Sequence, residues 1–417
     1  MPTHPHLPAI VIGGGQAGLS ASHYLKEQGL NHLIFEKNEP FYAWKNERWD
    51  SFCLVTPNHQ CHLPGYHYQG DDPDGFMVKD ELIAWFQGYL ENTNPPLRTG
   101  VTVLSVTKPA GHFLVETTAG TWTTDAVICA TGSYHTPFTP PGSDQIPPHI
   151  KQVFPTDYRN PSDIPPGAVA VIGTGQSGCQ LAEELHLEGR KVHLCLGNAP
   201  RSPRKYRGKD AVTWLEEMGY YKLSIDQQPN PDKARNTNHY LTGRDGGHEI
   251  DLRKFATEGM KLYGYLEGID QDGFTIRPDA AAKLDSADQS YLRIRQRIDD
   301  YIAREGLDAP EEPPFEPCWH PETEATRLDF AAENITSILW CIGFKPNFRF
   351  LHFDIFDPKG YPTHQRGITT VQGLVFVGLP WQHTWGSGRL LSVAEDAQHV
   401  VTHLSKTLQP QYETAFC

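Results

Sequence analysis

Ala9-Ile10-Val11-Ile12-Gly13-Gly14-Gly15-Gln16-Ala17-Gly18 decides the fold, because the same design returns 160 residues later as Ala168-Val169-Ala170-Val171-Ile172-Gly173-Thr174-Gly175-Gln176-Ser177-Gly178. Each copy is an apolar strand, a Gly-x-Gly-x-x-Gly loop and a helical stretch. A second apolar strand follows, Leu33 to Phe35 in one copy and Val192 to Leu196 in the other. The spacing has a physical reading. Gly13 and Gly173 allow the tight turn, Gly15 and Gly175 let backbone approach a pyrophosphate, and Gly18 and Gly178 let helix pack on strand. The helix openings at Gln16-Ala17 and Gln176-Ser177 point free N–H groups at the anion. A lone glycine loop is ordinary punctuation. Two copies in strand–loop–helix context predict two dinucleotide-binding βαβ units.

The copies differ where the ribose would sit. Glu36 ends the second strand of the first copy, 23 residues after Gly13, and its counterpart in the second copy is Leu196. A carboxylate there accepts hydrogen bonds from free ribose hydroxyls and repels a 2′-phosphate. The second copy continues instead into Arg201, Arg204, Lys205, Arg207 and Lys209. Guanidinium forks suit phosphate oxygens. The first site is therefore expected to hold FAD and the second NADPH, with Arg201 and Arg204 clamping the 2′-phosphate.

Composition narrows the class. The 417 residues carry a formal net charge of −14 and no basic stripe, which argues against a nucleic-acid partner. No apolar stretch approaches the roughly 20 residues needed to cross a bilayer. Met1 to Pro8 lacks a basic leader, and cleavage beyond it would destroy the first fingerprint, so a cytoplasmic location is expected. The eight cysteines, Cys53, Cys61, Cys129, Cys179, Cys195, Cys318, Cys341 and Cys417, include no Cys-x-x-Cys pair. That argues against a disulfide framework or a redox dithiol. His59, Cys61, His62 and His67 fit no zinc spacing, and no metal is expected.

The order of elements predicts an α/β fold with two Rossmann-like dinucleotide-binding domains, the NADPH domain inserted in the FAD domain. The FAD domain is read as residues 1–155 and 335–417, and the NADPH domain as 156–334. Helices are expected over Lys79 to Glu91, Lys283 to Arg304 and about Arg389 to Leu404. The Lys283–Arg304 stretch carries Leu284, Ala287, Tyr291, Ile294, Ile298 and Ile302 at helical spacing. Gly120 to Thr124 and Asp125 to Ala130 read as two strands, and Leu374 to Val377 as a last strand of the first sheet.

These fingerprints resemble the two-dinucleotide-binding-domain flavoproteins, and within them the small bacterial class B, flavin-containing-monooxygenase-like enzymes. Further likenesses are Ala130-Thr131-Gly132, Trp340-Cys341-Ile342-Gly343-Phe344 and the run Gly373 to Trp381. The resemblance implies an NADPH-reduced FAD enzyme that uses O2 to oxygenate a small molecule at nitrogen or sulfur, through a C4a-(hydro)peroxyflavin. It further places Lys37, Trp44, Trp49, Thr56, Val103, Gly343, Gly378 and Gly388 against cofactor. It makes Asn58 a catalytic candidate and Gln60, Trp381, His383 and Trp385 pocket walls. The family's Phe-x-Gly-x-x-x-His-x-x-x-Trp/Tyr signature is degenerate. Anchored on Tyr158, it finds Phe154, Ile150 and Pro148 at the His, Gly and Phe positions. A reductase or oxidase that inserts no oxygen, or a flavin-bound redox sensor, stays open on that ground.

Overall fold

The computed structural model describes residues 4–236 and 239–413; Cys417 and the first three residues of the stretch Met1 to Pro8 lie outside that range. The first fingerprint lies between strand β1 (His6–Ile12) and helix α1 (Gln16–Glu27), and β2 (His32–Phe35) completes the unit. Helix α2 (Lys79–Thr93) follows, then β3 (Leu97–Arg98), β4 (Val103–Ala110), β5 (His112–Thr117) and β6 (Gly120–Cys129). Next come β7 (Lys151–Val153) and the second unit: β8 (Ala168–Ile172), α3 (Gln176–Leu187) and β9 (Val192–Cys195). After β10 (Lys261–Tyr263) come three short strands, β11 (Leu266–Asp270), β12 (Gly273–Ile276) and β13 (Arg327–Asp329), with helix α4 (Ala280–Glu305) between the last two. The chain ends with β14 (Ile335–Trp340), β15 (Leu374–Phe376) and α5 (Val393–Glu413).

The first sheet runs β3-β2-β1-β6-β5-β4, with β15 also paired to β6. Strand β6 is one element where the sequence suggests two, because it changes partner midway. Residues 120–124 pair antiparallel with β5, and Val127 to Cys129 pair parallel with Leu374 to Phe376. The second sheet runs β7-β14-β8-β9-β10 and is parallel throughout. Its membership corrects the domain limits read from sequence. Lys151–Val153 and Ile335–Trp340, assigned above to the FAD domain, hydrogen-bond in the second sheet.

Both central strands are buried on two faces, as parallel strands covered by helices must be. Side chains alternate along β1. Ala9 and Val11 join a cluster with Leu19 and Leu25 of α1 and Val393, Ala397 and Val400 of α5. Ile10 and Ile12 face Phe348, Leu351 and Phe376 on the other side. The first cluster continues into Val169, Val171, Leu181 and Leu185, so one apolar core spans both units. Ala170 and Ile172 face Phe274, Ile276 and Leu328 of the small sheet. Helix α4 buries the six stripe residues read from sequence and ends at Gly306, whose positive φ of 66° closes it. Ile294, Ile298 and Ile302 pack on Tyr206, Ala211 and Trp214. The last helix begins at Val393, four residues later than expected, because Trp385 to Leu391 turn first. No helix among the described residues is long and apolar enough to cross a membrane.

Candidate functional site

The first fingerprint folds around backbone demands. Gly13 has φ 109° and donates its N–H to Phe35 O at 2.9 Å. The Gly14 N–H donates to Glu36 Oε2 at 2.6 Å, and the Asn38 N–H donates to Oε1 at 2.9 Å. Glu36 is thereby fixed at the end of β2. Gln16 ties the helix start to distant parts of the chain. Its Oε1 accepts from Trp44 Nε1 at 3.1 Å and its Nε2 donates to Gly388 O at 3.2 Å. The second fingerprint repeats the turn. Gly173 donates to Cys195 O at 2.9 Å, and Gly197 donates to Thr174 Oγ1 at 3.0 Å. Gln176 exchanges hydrogen bonds with the Leu241 backbone.

One cavity of 1620 Å³ joins the two loops. It exceeds the roughly 300–1,000 Å³ of a pocket for one drug-sized ligand. Gly13, Gly15, Gln16, Ala17, Glu36, Lys37, Trp44, Trp49, Thr56, Val103, Ala130, Thr131 and Gly132 line its first arm. Gly173, Gly175, Gln176, Ser177 and Gly343 line its second, and Gly378, Gly388, Trp381 and Trp385 line the part near the C-terminal loop. The residues fit two dinucleotides. A Cβ at Gly15 or at Gly175 would meet nothing within 4 Å, so each leaves an open cradle at a helix N-terminus. Gly18 and Gly178 lie outside the lining. A Cβ there would stand 1.9 and 2.0 Å from the Gly13 and Gly173 carbonyl oxygens, so their role is helix–strand packing.

Several sequence expectations move. Arg201 and Arg204 are buried and line no part of the cavity. Arg201 meets Glu249 and Asp251 at 3.0 Å each and Asp288 at 3.1 Å. Burial opposes its charge, yet Asp251 and Glu249 hold its pKa above the ordinary value. Arg204 pairs with Asp210 at 2.5 Å and donates to Val55 O at 2.9 Å. Neither is placed to clamp a phosphate. Asn58 is spent on structure: Nδ2 donates to Asp72 O and Oδ1 accepts from Met77 N, both at 2.9 Å. Gln60 donates to Glu216 at 2.7 Å, and neither it nor His383 lines the cavity. Tyr158, the surviving signature aromatic, is fully buried away from the cavity.

The geometry adds Tyr221, Arg389 and Arg48 to the two tryptophans expected from sequence. Tyr221 stacks on Trp385 with centroids 4.6 Å apart, and the Arg389 guanidinium lies 4.1 Å from the Trp385 ring. Arg48 lies 5.1 Å from the Trp44 ring. Burial holds both guanidinium groups below their ordinary pKa, and all five side chains line the cavity.

Residues 10–218 match the family model described as pyridine nucleotide-disulphide oxidoreductase. The chain belongs to that family. A relative described as an uncharacterized oxidoreductase CzcO, from Bacillus velezensis, is 30% identical over 95% of this chain and 98% of its own. A probable indole-3-pyruvate monooxygenase, YUCCA1 of Arabidopsis thaliana, is 27% identical over 45% of this chain and 47% of its own. The fold is that of a flavin-containing monooxygenase from Stenotrophomonas maltophilia, with TM-score 0.68 and 19% identity over 97% of this chain and 99% of that one. This oxidoreductase takes FAD and NADPH as cofactors.

Proposed function

We propose that this oxidoreductase is an NADPH-reduced FAD monooxygenase that places one oxygen atom of O2 on nitrogen or sulfur of a small molecule, in the cytoplasm. The cavity shared by the two loops carries the reading. It joins both fingerprints and ends at Trp381, Trp385 and Tyr221, with room beyond one nucleotide. Bound FAD would supply hydride acceptance and reaction with dioxygen. The chain does the rest. Glu36 holds free ribose hydroxyls, and the Gly15 and Gly175 cradles admit the two pyrophosphates. The Gln16–Gly388 hydrogen bond fixes the C-terminal loop over the first cradle. The aromatic end excludes water, which protects a reactive oxygen species from wasteful release. The names of the monooxygenase relative and of the structural neighbour support oxygenation.

A cysteine-based reductase has less support. Cys341 is the described cysteine that lines the cavity, and burial pushes its thiol up to about 12, leaving almost no thiolate at neutral pH. Small amines, thioethers and oximes, offered with isotopically labelled O2, test the proposal. The expected result is substrate-stimulated NADPH consumption and one labelled oxygen in the product. Peroxide formed in step with NADPH for every compound would point to an oxidase instead.

A further inference from the structure

With Arg201 and Arg204 committed to buried ion pairs, the 2′-phosphate of NADPH needs another partner. We propose that Lys283, carried by the inserted helix α4, binds that phosphate together with Asn198, while Tyr265 gives the adenosine an aromatic platform. The inference rests on the second fingerprint being the NADPH site. In such a unit the adenosine ribose lies just past the C-terminal end of the second strand, which here is Cys195, followed by Gly197 and Asn198. Gly197 lines the cavity, and its bond to Thr174 fixes that turn to the fingerprint loop. Tyr265 lines the same cavity, two residues beyond β10, the strand beside β9. It is 44% exposed, at the C-terminal edge of a parallel sheet. The Lys283 ammonium lies 5.4 Å from the Tyr265 ring and donates to Asn198 Oδ1. Lys283 and Asn198 stand just outside the cavity lining, beside Tyr265 and Gly197 that form it, so a cation, an amide and a ring meet at the cavity's edge, where the phosphorylated ribose belongs.

Asp279 is the carboxylate facing Lys283, and it offsets part of the charge offered to a phosphate. Asp279 lies 3.8 Å from Lys283 and 3.9 Å from Arg277, and it accepts from the Tyr265 N–H at 2.8 Å. Arg277 lies 5.1 Å from the same ring but is engaged by Glu267 at 2.7 Å. Lysine offers three donors, so Lys283 can keep Asn198 and still take a phosphate oxygen. Arg293 faces the cavity too. It stands ten residues along α4 from Lys283, about 15 Å away, and serves as the rival assignment.

FAD-loaded protein is titrated calorimetrically with 2′,5′-ADP and with 5′-AMP. The wild type binds the first more tightly. Lys283→Gln weakens 2′,5′-ADP by about tenfold or more, the scale of a charge-assisted bond, and leaves 5′-AMP and FAD content unchanged. Tyr265→Ala weakens both probes alike. The proposal is overturned if Lys283→Gln keeps the wild-type preference, or if Arg293→Gln abolishes it instead. If the wild type binds neither probe, the NADPH reading of the second fingerprint fails and the proposal falls with it.

Discussion

Gly15 and Gly18 stand three residues apart and answer to different demands. Adding a methyl to Gly15 meets only open space, which is the space a pyrophosphate needs. Gly15→Ala should therefore fold, with its melting profile retained as apoprotein, and purify with little FAD. Adding a methyl to Gly18 drives it onto the Gly13 carbonyl at 1.9 Å. Gly18→Ala should lose the fold itself, seen as insoluble protein or a collapsed melting temperature. Arg201 gives the opposite kind of forecast. Breaking a buried, multiply paired cation costs about 3–5 kcal/mol, so Arg201→Gln should melt about 5 °C or more below wild type. Its preference for NADPH over NADH should not change. The glycine turns and the place of Glu36 at the end of β2 were legible in the sequence because their partners lie within or beside one βαβ unit. Arg201 was not, because Glu249, Asp251 and Asp288 lie 48, 50 and 87 residues away. A basic run with distant acidic partners reads in sequence like a phosphate clamp. Asn58 misled in the same way: its two partners, Asp72 and Met77, are supplied by a loop that folds back over it.

Helices and strands were legible wherever a period ran long enough. The stripe from Leu284 to Ile302 predicted α4 to within a few residues, because its burial is set by the helix's own repeat. Strand β6 was read as two, yet it runs unbroken through its change of partner from antiparallel to parallel. The last helix was placed too early because Arg389 to Ser392, past the glycines, still turn before it starts at Val393. Helix α3 carries a testable pH effect. Burial pushes the Glu184 carboxyl up to about 7, against about 4.3 for a free glutamate. The folded state then holds the proton more tightly than the unfolded chain. That contribution is complete below about pH 4 and is lost as pH rises to about 7. Glu184→Gln should remove this slope. Its melting temperature should gain on wild type between pH 5 and 8, in differential scanning fluorimetry at constant ionic strength. A constant gap across that range would contradict the assignment.

At the scale of the molecule, the two nucleotide units are not independent modules. One apolar cluster runs from Val11 and Ile128 through Val169 and Leu181, and β15 carries the C-terminal loop back into the first sheet. Gln16 then hydrogen-bonds that loop, so the first fingerprint, the last loop and the aromatic end of the cavity are set by one another. Repetition of the fingerprint in the sequence announced two sites. That they open into one space depends on how the sheets pack, which no local spacing records. The central claim is that this shared space lets NADPH, held on the second fingerprint, pass its hydride directly to FAD on the first. Anaerobic stopped-flow reduction tests it, comparing NADPH with NADPH deuterated at the transferred position. Rapid bleaching of the bound flavin with a primary isotope effect is the predicted result; a flavin that stays oxidised under excess NADPH would contradict the account.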